Sequence, residues 1–542
     1  MQQNLDFRRA TMLQRLADEQ FDVLVVGAGI TGAGVALDAA SRGLKVALVE
    51  RDDFASGTSS KSSKMVHGGL RYLQQGEVRL VYEALRERQR LFRNAPHLVT
   101  VLPFMIPVLT KDGVVSRKIA RALGSAMWMY DLTGGWRIGK LHRRLRKQAA
   151  VAHLPTMHTE RLASAYLYYD AAVDDARLVL TVCRTAAAHG AVVANRCTFA
   201  GLRRNTDGTV AGATVMADGR EIEVSARTVV NAAGVWSDDV QQCAEGVHPD
   251  SIRPAKGVHL TVPWEKVQCD IAVVIPVPKD RRSLFLVPWG PRPDGTFEYA
   301  YIGTTDTDYD GPVDDPQCTK DDIDYVLRAV NASLRTGITE HDVIGVWSGL
   351  RPLVKSAESG RTADLSRTHS LRESSGVFTI TGGKLTTYRE MAEDTVDAVV
   401  RRLGRRAKCR TKRLRLLGST KRHRPDGSAE AHLAGRYGSL ADDVRALVAA
   451  DPHLAERLVD GLPTIRAEVV YAARHEMATT VDDVLTRRTR ARLFDRAAAM
   501  RAAPVVADLL AVELGWDHDE TRRQTEHFLA ECTREITAGA TA

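Results

Sequence analysis

The chain has 542 residues, 44% hydrophobic and 26% charged, with a net charge of +8. That length supplies about two to four domains and a large core, and the composition is that of a globular protein. No stretch approaches the roughly 18 consecutive apolar residues of a membrane span, and the polar start MQQNLDFRRATMLQRLADEQ has no apolar core of the kind a secretory signal needs. The seven cysteines (Cys183, Cys197, Cys243, Cys269, Cys318, Cys409 and Cys532) are scattered and form no CxxC pair. They argue for a reducing compartment and against a structural zinc or a disulfide framework.

Residues 21–50, FDVLVVGAGITGAGVALDAASRGLKVALVE, read as a βαβ unit. An apolar strand over Val23 to Val26 runs into Gly27, Gly29 and Gly32, a helix follows, and a second strand ends in Glu50. Gly27 allows the tight turn, Gly29 lets a pyrophosphate approach the backbone, and Gly32 lets helix and strand pack closely. The pyrophosphate then lies on the helix N-terminus. Glu50 is placed to accept a hydrogen bond from a ribose 2′-OH, which argues against NADP. The motif alone leaves FAD and NAD both open.

Residues 51–72 form a loop rich in Ser, Thr and Gly, suited to cofactor hydrogen bonds. Val78, Val81, Leu85 and Phe92 predict an amphipathic helix over 77–93. Residues 101–109 are apolar but carry two prolines, which predicts an edge strand or a loop. Residues 116–147 mix cations with Met127, Trp128, Met129 and Trp136. We read them as a buried helix with Trp and Met in the core, the alternative being a segment lying at a membrane interface. An apolar helix follows Asp174, Asp175 and Arg177, a strand covers Ala191 to Ala194, and a hairpin turns at Asp218-Gly219. Residues 256–310 look like a substrate-side sheet. Residues 378–400 give strand, glycine loop and helix, and from about 416 the chain is helical.

Cations cluster at 401–415 and at Lys140, Arg143, Arg144, Arg146 and Lys147. A solvated face is the plain reading; attraction to an anionic membrane surface is the second. No zinc finger, aromatic RNA-binding motif or helix-turn-helix pattern supports nucleic acid. The oligomeric state is not readable, and a homodimer stays open.

Six strings, TSSKSSKMVHGGLRY (58–72), VDDARLVL (173–180), VVNAAGVWSD (229–238), IGTTDTDY (302–309), SGLRPL (348–353) and TGGKLTTYR (381–389), together resemble one family. It is the FAD-dependent glycerol-3-phosphate dehydrogenases, within the glycine/D-amino-acid oxidase type of flavoprotein. The resemblance covers about residues 20 to 400. It continues more weakly through YAARHEMATTVDDVLTRRTR (471–490), which is similar to the family's C-terminal helical domain. It implies an α/β fold: a discontinuous Rossmann-like FAD-binding domain (20–100, 160–245 and 341–400), a sheet-rich substrate domain (101–159 and 246–340) and an all-α domain (416–542).

The resemblance also implies noncovalent FAD, oxidation of sn-glycerol 3-phosphate to dihydroxyacetone phosphate, a membrane quinone as acceptor, and peripheral attachment to the inner face of the plasma membrane in a bacterium. A glycerol-3-phosphate oxidase using oxygen is the nearest alternative. An amine or amino-acid oxidase on the same fold and a non-enzymatic FAD-binding regulator stand further off. The substrate is a dianion, so the site needs fixed cations. Arg71 and Arg351 match the family's anion-binding arginines, and Arg367 aligns with another. Lys384 is placed to stabilise charge near flavin N1/O2 or the substrate oxygens.

His259, in a string like the family's lysine-glycine-x-histidine, is the candidate general base, although Val258 stands where the family more often has serine. Thr305 and Asp306 are expected to orient base or substrate, or to form a turn. For FAD, the resemblance carries over Gly27, Gly29, Gly32, Glu50, Thr58, Ser59, Ser63, Lys64 and Gly68 from the first part of the chain. Ala233, Gly234, Gly382, Gly383, Lys384 and Thr386 complete the set. No metal ligand set is expected.

Overall fold

All four residues of the strand Val23–Val26 are apolar and buried, as a strand covered on both faces must be. The structure, a computed structural model, describes residues 6–70, 77–110, 117–278, 280, 282–355, 369–421 and 426–540. Val23–Val26 lies inside a six-stranded sheet, between Val46–Val49 and Val229–Asn231. Val192–Ala194 and Val377–Thr381 extend the parallel run, and Ser370–Ser374 adds an antiparallel edge. The helix Ile30–Ser41 packs between the helices Asp175–Ala188 and Tyr388–Arg402. Gly34 makes that contact close, because a Cβ there would meet the Tyr388 ring at 2.8 Å.

A separate four-stranded sheet contains the hairpin Val210–Ala217/Arg220–Ala226. It turns through Asp218 and Gly219 at φ of 50° and 72°, the pattern of a two-residue type I′ turn.

The second large unit is a ten-stranded sheet. Its long strand Ile252–Pro263 pairs with Phe297–Gly303 on one side and Gly345–Val354 on the other. This register sets His259 opposite Gly303 and Trp347. Two strands that the sequence assigned to the FAD-binding portion, Leu162–Ala172 and Gly345–Val354, run in this sheet instead. Thr100–Leu109, expected at an edge, is an interior strand paired along its length with Leu162–Ala172. Pro103 and Pro107 share one parity, so both missing N–H donors fall on one side of the strand. The neighbour Ala272–Pro276 pairs with this strand only at Phe104 and Met105.

The helix Arg117–Leu132 departs from the buried reading. Met127 is buried, but Trp128 is 55% exposed, Leu132 76% and Trp136, just beyond the helix, 56%.

The C-terminal helices begin at Ala429–Tyr437 and end with Arg496–Leu514 and His518–Ala540. Asp495 caps the first of this last pair by accepting the Ala498 N–H, and Gly515 in the left-handed conformation ends it. Buried ions fasten this domain to the rest. Asp53 accepts from Arg487 Nε and Arg488 Nη1, both at 2.6 Å, and Glu476 pairs with Arg177 and Arg184. The paired guanidinium groups hold the Asp53 carboxyl well below the usual range, overcoming the opposing effect of burial. Among the described residues no helix is long and apolar enough to cross a membrane.

Candidate active site

A cavity of about 350 Å³ opens at the carboxyl ends of four parallel strands, where Val26, Val49, Asn231 and Thr381 give way to Gly27, Glu50, Ala232 and Gly382. This is where an open α/β sheet binds its ligand. Gly27, Gly29, Glu50, Thr58, Ser59, Ala233, Gly234, Gly382, Gly383 and Lys384 all line it.

Gly27 has φ +96°, and a Cβ there would lie 2.9 Å from the Ala232 carbonyl oxygen. A Cβ on Gly32 would fall 1.9 Å from the Gly27 carbonyl oxygen, so Gly32 acts by letting the helix sit against the turn. Gly29, the N-cap, places no side chain on the first helical N–H groups. The Ile30 N–H donates to Ser59 Oγ at 2.9 Å. Glu50 accepts the N–H groups of Ala28 (2.7 Å) and Asp52 (2.9 Å), and burial still pushes its carboxyl up to about 7. Thr58 Oγ1 donates to the Leu350 carbonyl, tying the cavity wall to the large sheet.

Five of the residues expected around the cofactor are not among those lining this cavity. They are Gly32, Ser63, Lys64, Gly68 and Thr386. Ser63 Oγ sits 2.8 Å from His259 Nε2. Lys64 is fully buried, 3.4 Å from Asp175 and 4.5 Å above the centre of the Trp347 ring. Burial brings its ammonium down to about 8. The Gly68 N–H donates to Asp170, and Thr386 Oγ1 accepts the His67 N–H.

His259 is 2% exposed, stacked on Trp347 with ring centres 4.7 Å apart and planes 10° from parallel. Its Nδ1 is buried and makes no hydrogen bond. Burial, with the nearby charges of Lys64 and Arg351, holds the imidazole well below its ordinary pKa, so it is neutral near pH 7. A neutral imidazole with one nitrogen engaged in no hydrogen bond keeps a lone pair that can take a proton.

Arg351 stands against the main chain two residues before the histidine: a Cβ on Gly257 would lie 2.6 Å from its Nη2. It donates to Asp306 Oδ1, Thr304 Oγ1 and the Thr305 carbonyl, each at 3.1 Å. Asp306 thus orients Arg351, while Thr305 Oγ1 accepts the Val258 N–H at 3.0 Å and fixes the strand beside His259. Asp174 caps its helix by accepting the Arg177 N–H. Arg71 and Arg367 lie outside the described residues. Among the described residues no cluster of metal ligands forms.

The sequence reading missed Trp347, Tyr301 and Asp175 as supports of the histidine. Trp347 had a usable signal: on a strand it shares a face with Arg351, four residues on.

A glycine-bounded cavity at the strand ends, beside a buried histidine and an arginine on a second sheet, defines a dinucleotide-dependent oxidoreductase. Residues 22–398 match the family model of FAD dependent oxidoreductases, and 409–521 match the C-terminal domain of alpha-glycerophosphate oxidase. The chain is 40% identical over 550 residues to glycerol-3-phosphate dehydrogenase 2 of Mycobacterium tuberculosis, covering 98% of this chain and 92% of that protein. It is 35% identical to the mitochondrial enzyme of Arabidopsis thaliana, covering 96% and 87%. Among solved structures, the glycerol-3-phosphate dehydrogenase of Bacillus halodurans with FAD superposes with a TM-score of 0.76 at 30% identity, covering 97% of each chain. The chain belongs to the FAD-dependent glycerol-3-phosphate dehydrogenase family, and its cofactor is FAD.

The cavity fits that group. Glu50 would hold the ribose, and the glycine turn with the N-terminal end of Ile30–Ser41 would hold the pyrophosphate. Gly382 and Gly383, at φ of 74° and 76°, would offer bare main chain to the flavin.

Proposed function

We propose that the chain oxidises sn-glycerol 3-phosphate at C2 to dihydroxyacetone phosphate and passes the electrons to a membrane quinone. The observation that carries this is the buried Nδ1 of His259, which makes no hydrogen bond, on the strand that also packs against Arg351. Bound FAD would supply the two-electron acceptor for the hydride leaving C2. His259 accepts the C2 hydroxyl proton at Nδ1. Arg351 meets the phosphate dianion with donors held in place by Asp306 and Thr304. Lys384, in the cavity wall after Gly383, offers positive charge near the flavin end. The family resemblance adds Arg71 and Arg367 as further anion-binding cations. Anaerobic glycerol 3-phosphate bleaches the flavin of the purified holoenzyme under this reading. An unchanged oxidised spectrum refutes it, and stoichiometric peroxide under air makes the protein an oxidase instead.

The proposal places the protein on the cytoplasmic face of an anionic bilayer. Exposed Trp128, Leu132 and Trp136, with the exposed cations Arg143, Arg144, Arg146 and Lys147, support that reading. Arg137 spans the Tyr82 and Trp136 rings, at 5.1 and 5.6 Å, joining the helix Val78–Asn94 to the same surface. Each cation near such a surface contributes on the order of 1 kcal/mol at low salt. Sedimentation with phosphatidylglycerol vesicles is expected to fall at least tenfold in a W128A/W136A double variant, and to fall with added salt. Equal binding to neutral phosphatidylcholine, insensitive to salt, contradicts it.

A further inference from the structure

Arg490 belongs to the C-terminal helical domain, yet it reaches the loop that carries Ser63. It is 1% exposed and takes φ +67° at the N-cap of Ala491–Phe494, a backbone region that a residue with a Cβ enters only under constraint. Its Nη2 donates to the Ser60 carbonyl and, at 2.8 Å, to Asp175 Oδ1; its Nη1 donates to the Thr486 carbonyl at 3.0 Å. Asp175 passes the constraint on. Its Oδ2 accepts both the Ser62 N–H (3.0 Å) and the Ser62 hydroxyl (2.6 Å). The Trp347 indole N–H donates to the Ser62 carbonyl at 3.1 Å, and the Tyr301 hydroxyl to the Ser63 carbonyl at 3.0 Å. The main chain from Ser60 to Ser63 is therefore pinned at four points by four buried side chains. Trp347 and Tyr301 come from the large sheet, Asp175 from a helix of the cofactor domain, and Arg490 from the C-terminal domain.

We infer that Arg490 is a positioning residue for His259. By holding Ser60 and Asp175, it seats the Ser63 hydroxyl on His259 Nε2 and so leaves Nδ1 as the proton-accepting nitrogen. The inference rests on the reading of His259 as the base. In that role Nε2–H donates to Ser63 Oγ, at 2.8 Å, while the Nδ1 lone pair stays open. When Nδ1 takes the proton of the C2 hydroxyl, the imidazolium keeps its Nε2–H bond to Ser63. Without Arg490, Asp175 and the Ser60 carbonyl both fall back on Lys64, at the longer distance of 3.4 Å to each, and the loop relaxes. A shift of about 1 Å in a catalytic group is enough to cost two orders of magnitude in rate.

The test is a double-variant cycle on the holoenzyme with Arg490→Met, Ser63→Ala and both together. Flavin content, Tm and the anaerobic rate of flavin reduction by glycerol 3-phosphate are measured for each. We expect Arg490→Met to lower the saturated reduction rate about 30- to 100-fold, with flavin per chain unchanged and substrate affinity within about threefold. The double variant is expected to be no slower than the slower single, because both act through one hydrogen bond. Arg490→Lys, which keeps the charge but cannot fork to both acceptors, is expected to recover part of the rate. It also replaces Arg490→Met in the cycle if that variant does not fold. Losses that multiply in the double variant overturn the inference, as does a rate that falls only in step with flavin content. A wild-type flavin that glycerol 3-phosphate does not bleach, or a His259→Asn variant at full rate, refutes the underlying function instead.

Discussion

His259→Asn lowers the rate of flavin reduction by about 10²- to 10⁴-fold while FAD stays bound, the range expected for loss of a positioned base. FAD retention follows from the geometry: His259 sits on the large sheet and touches Ser63 and Trp347, and it is not among the residues of the cofactor cavity. Asparagine keeps a polar group near the Ser63 hydroxyl but has no nitrogen that takes a proton near neutrality. Stopped-flow reduction at saturating substrate is the measurement, and less than a fivefold loss contradicts the assignment.

The wild-type pH profile carries the same assignment. Burial, then the charges of Lys64 and Arg351, depress the folded pKa of His259 below the ordinary value of about 6.5. The imidazole therefore stays an active base as pH falls through 6.5. The acid limb of kcat/KM, which reports the free enzyme, is expected to have its midpoint below that value. Stability follows with a definite sign. The unfolded chain protonates this histidine near 6.5 and the folded chain does not. Its contribution is whole above about 6.5 and is lost as pH falls toward the folded pKa. An acid limb centred above 6.5 would assign the limb to another group.

Gly32→Ala is expected to give a protein nearly devoid of FAD and less stable by about 3 kcal/mol or more. The added methyl would stand 1.9 Å from the Gly27 carbonyl oxygen, well inside van der Waals contact, and its obstacle is main chain rather than a flexible side chain. Relief requires the helix to move off the strand, at an overpacking cost of this order. The same movement withdraws the helical N–H groups from the pyrophosphate. Gly43→Ala is the control. Gly43 has positive φ, +86°, which Gly32 does not, and nothing lies within 4 Å of its Cβ position. It is expected to cost about 1 kcal/mol and to leave the flavin in place. Equal flavin loss in both variants would show that general loss of stability, not the close approach of helix and turn, governs the site.

The sequence made the cofactor end of the molecule legible because its signals are local. Glycines, an apolar strand and a terminal acid within thirty residues state one geometry. The membership of the large sheet was not local. Nothing local in Leu162–Ala172 or Gly345–Val354 says which sheet each joins, and only their pairing with Thr100–Leu109 and Ile252–Pro263 decides it. The same limit governed Ser63 and Lys64. Their observed partners are His259 and Asp175, each more than 100 residues away in the chain. Trp128 and Trp136 show the complementary failure. Apolar bulk predicts burial on average, but helical periodicity gives no warning when an aromatic face has no partner in the fold.

The order of strands in the six-stranded sheet sets a timetable for synthesis. Val23–Val26 gains Val46–Val49 on one flank almost at once, but its other neighbour, Val229–Asn231, is made about 200 residues later, and the flavin-end glycines after Thr381 later still. At about 5–20 residues per second, the first half of the nucleotide cradle waits on the order of tens of seconds for the second. Through that interval a four-residue apolar strand presents an unpaired edge on the nascent chain. The cofactor cannot protect it, because the cradle it would close does not yet exist.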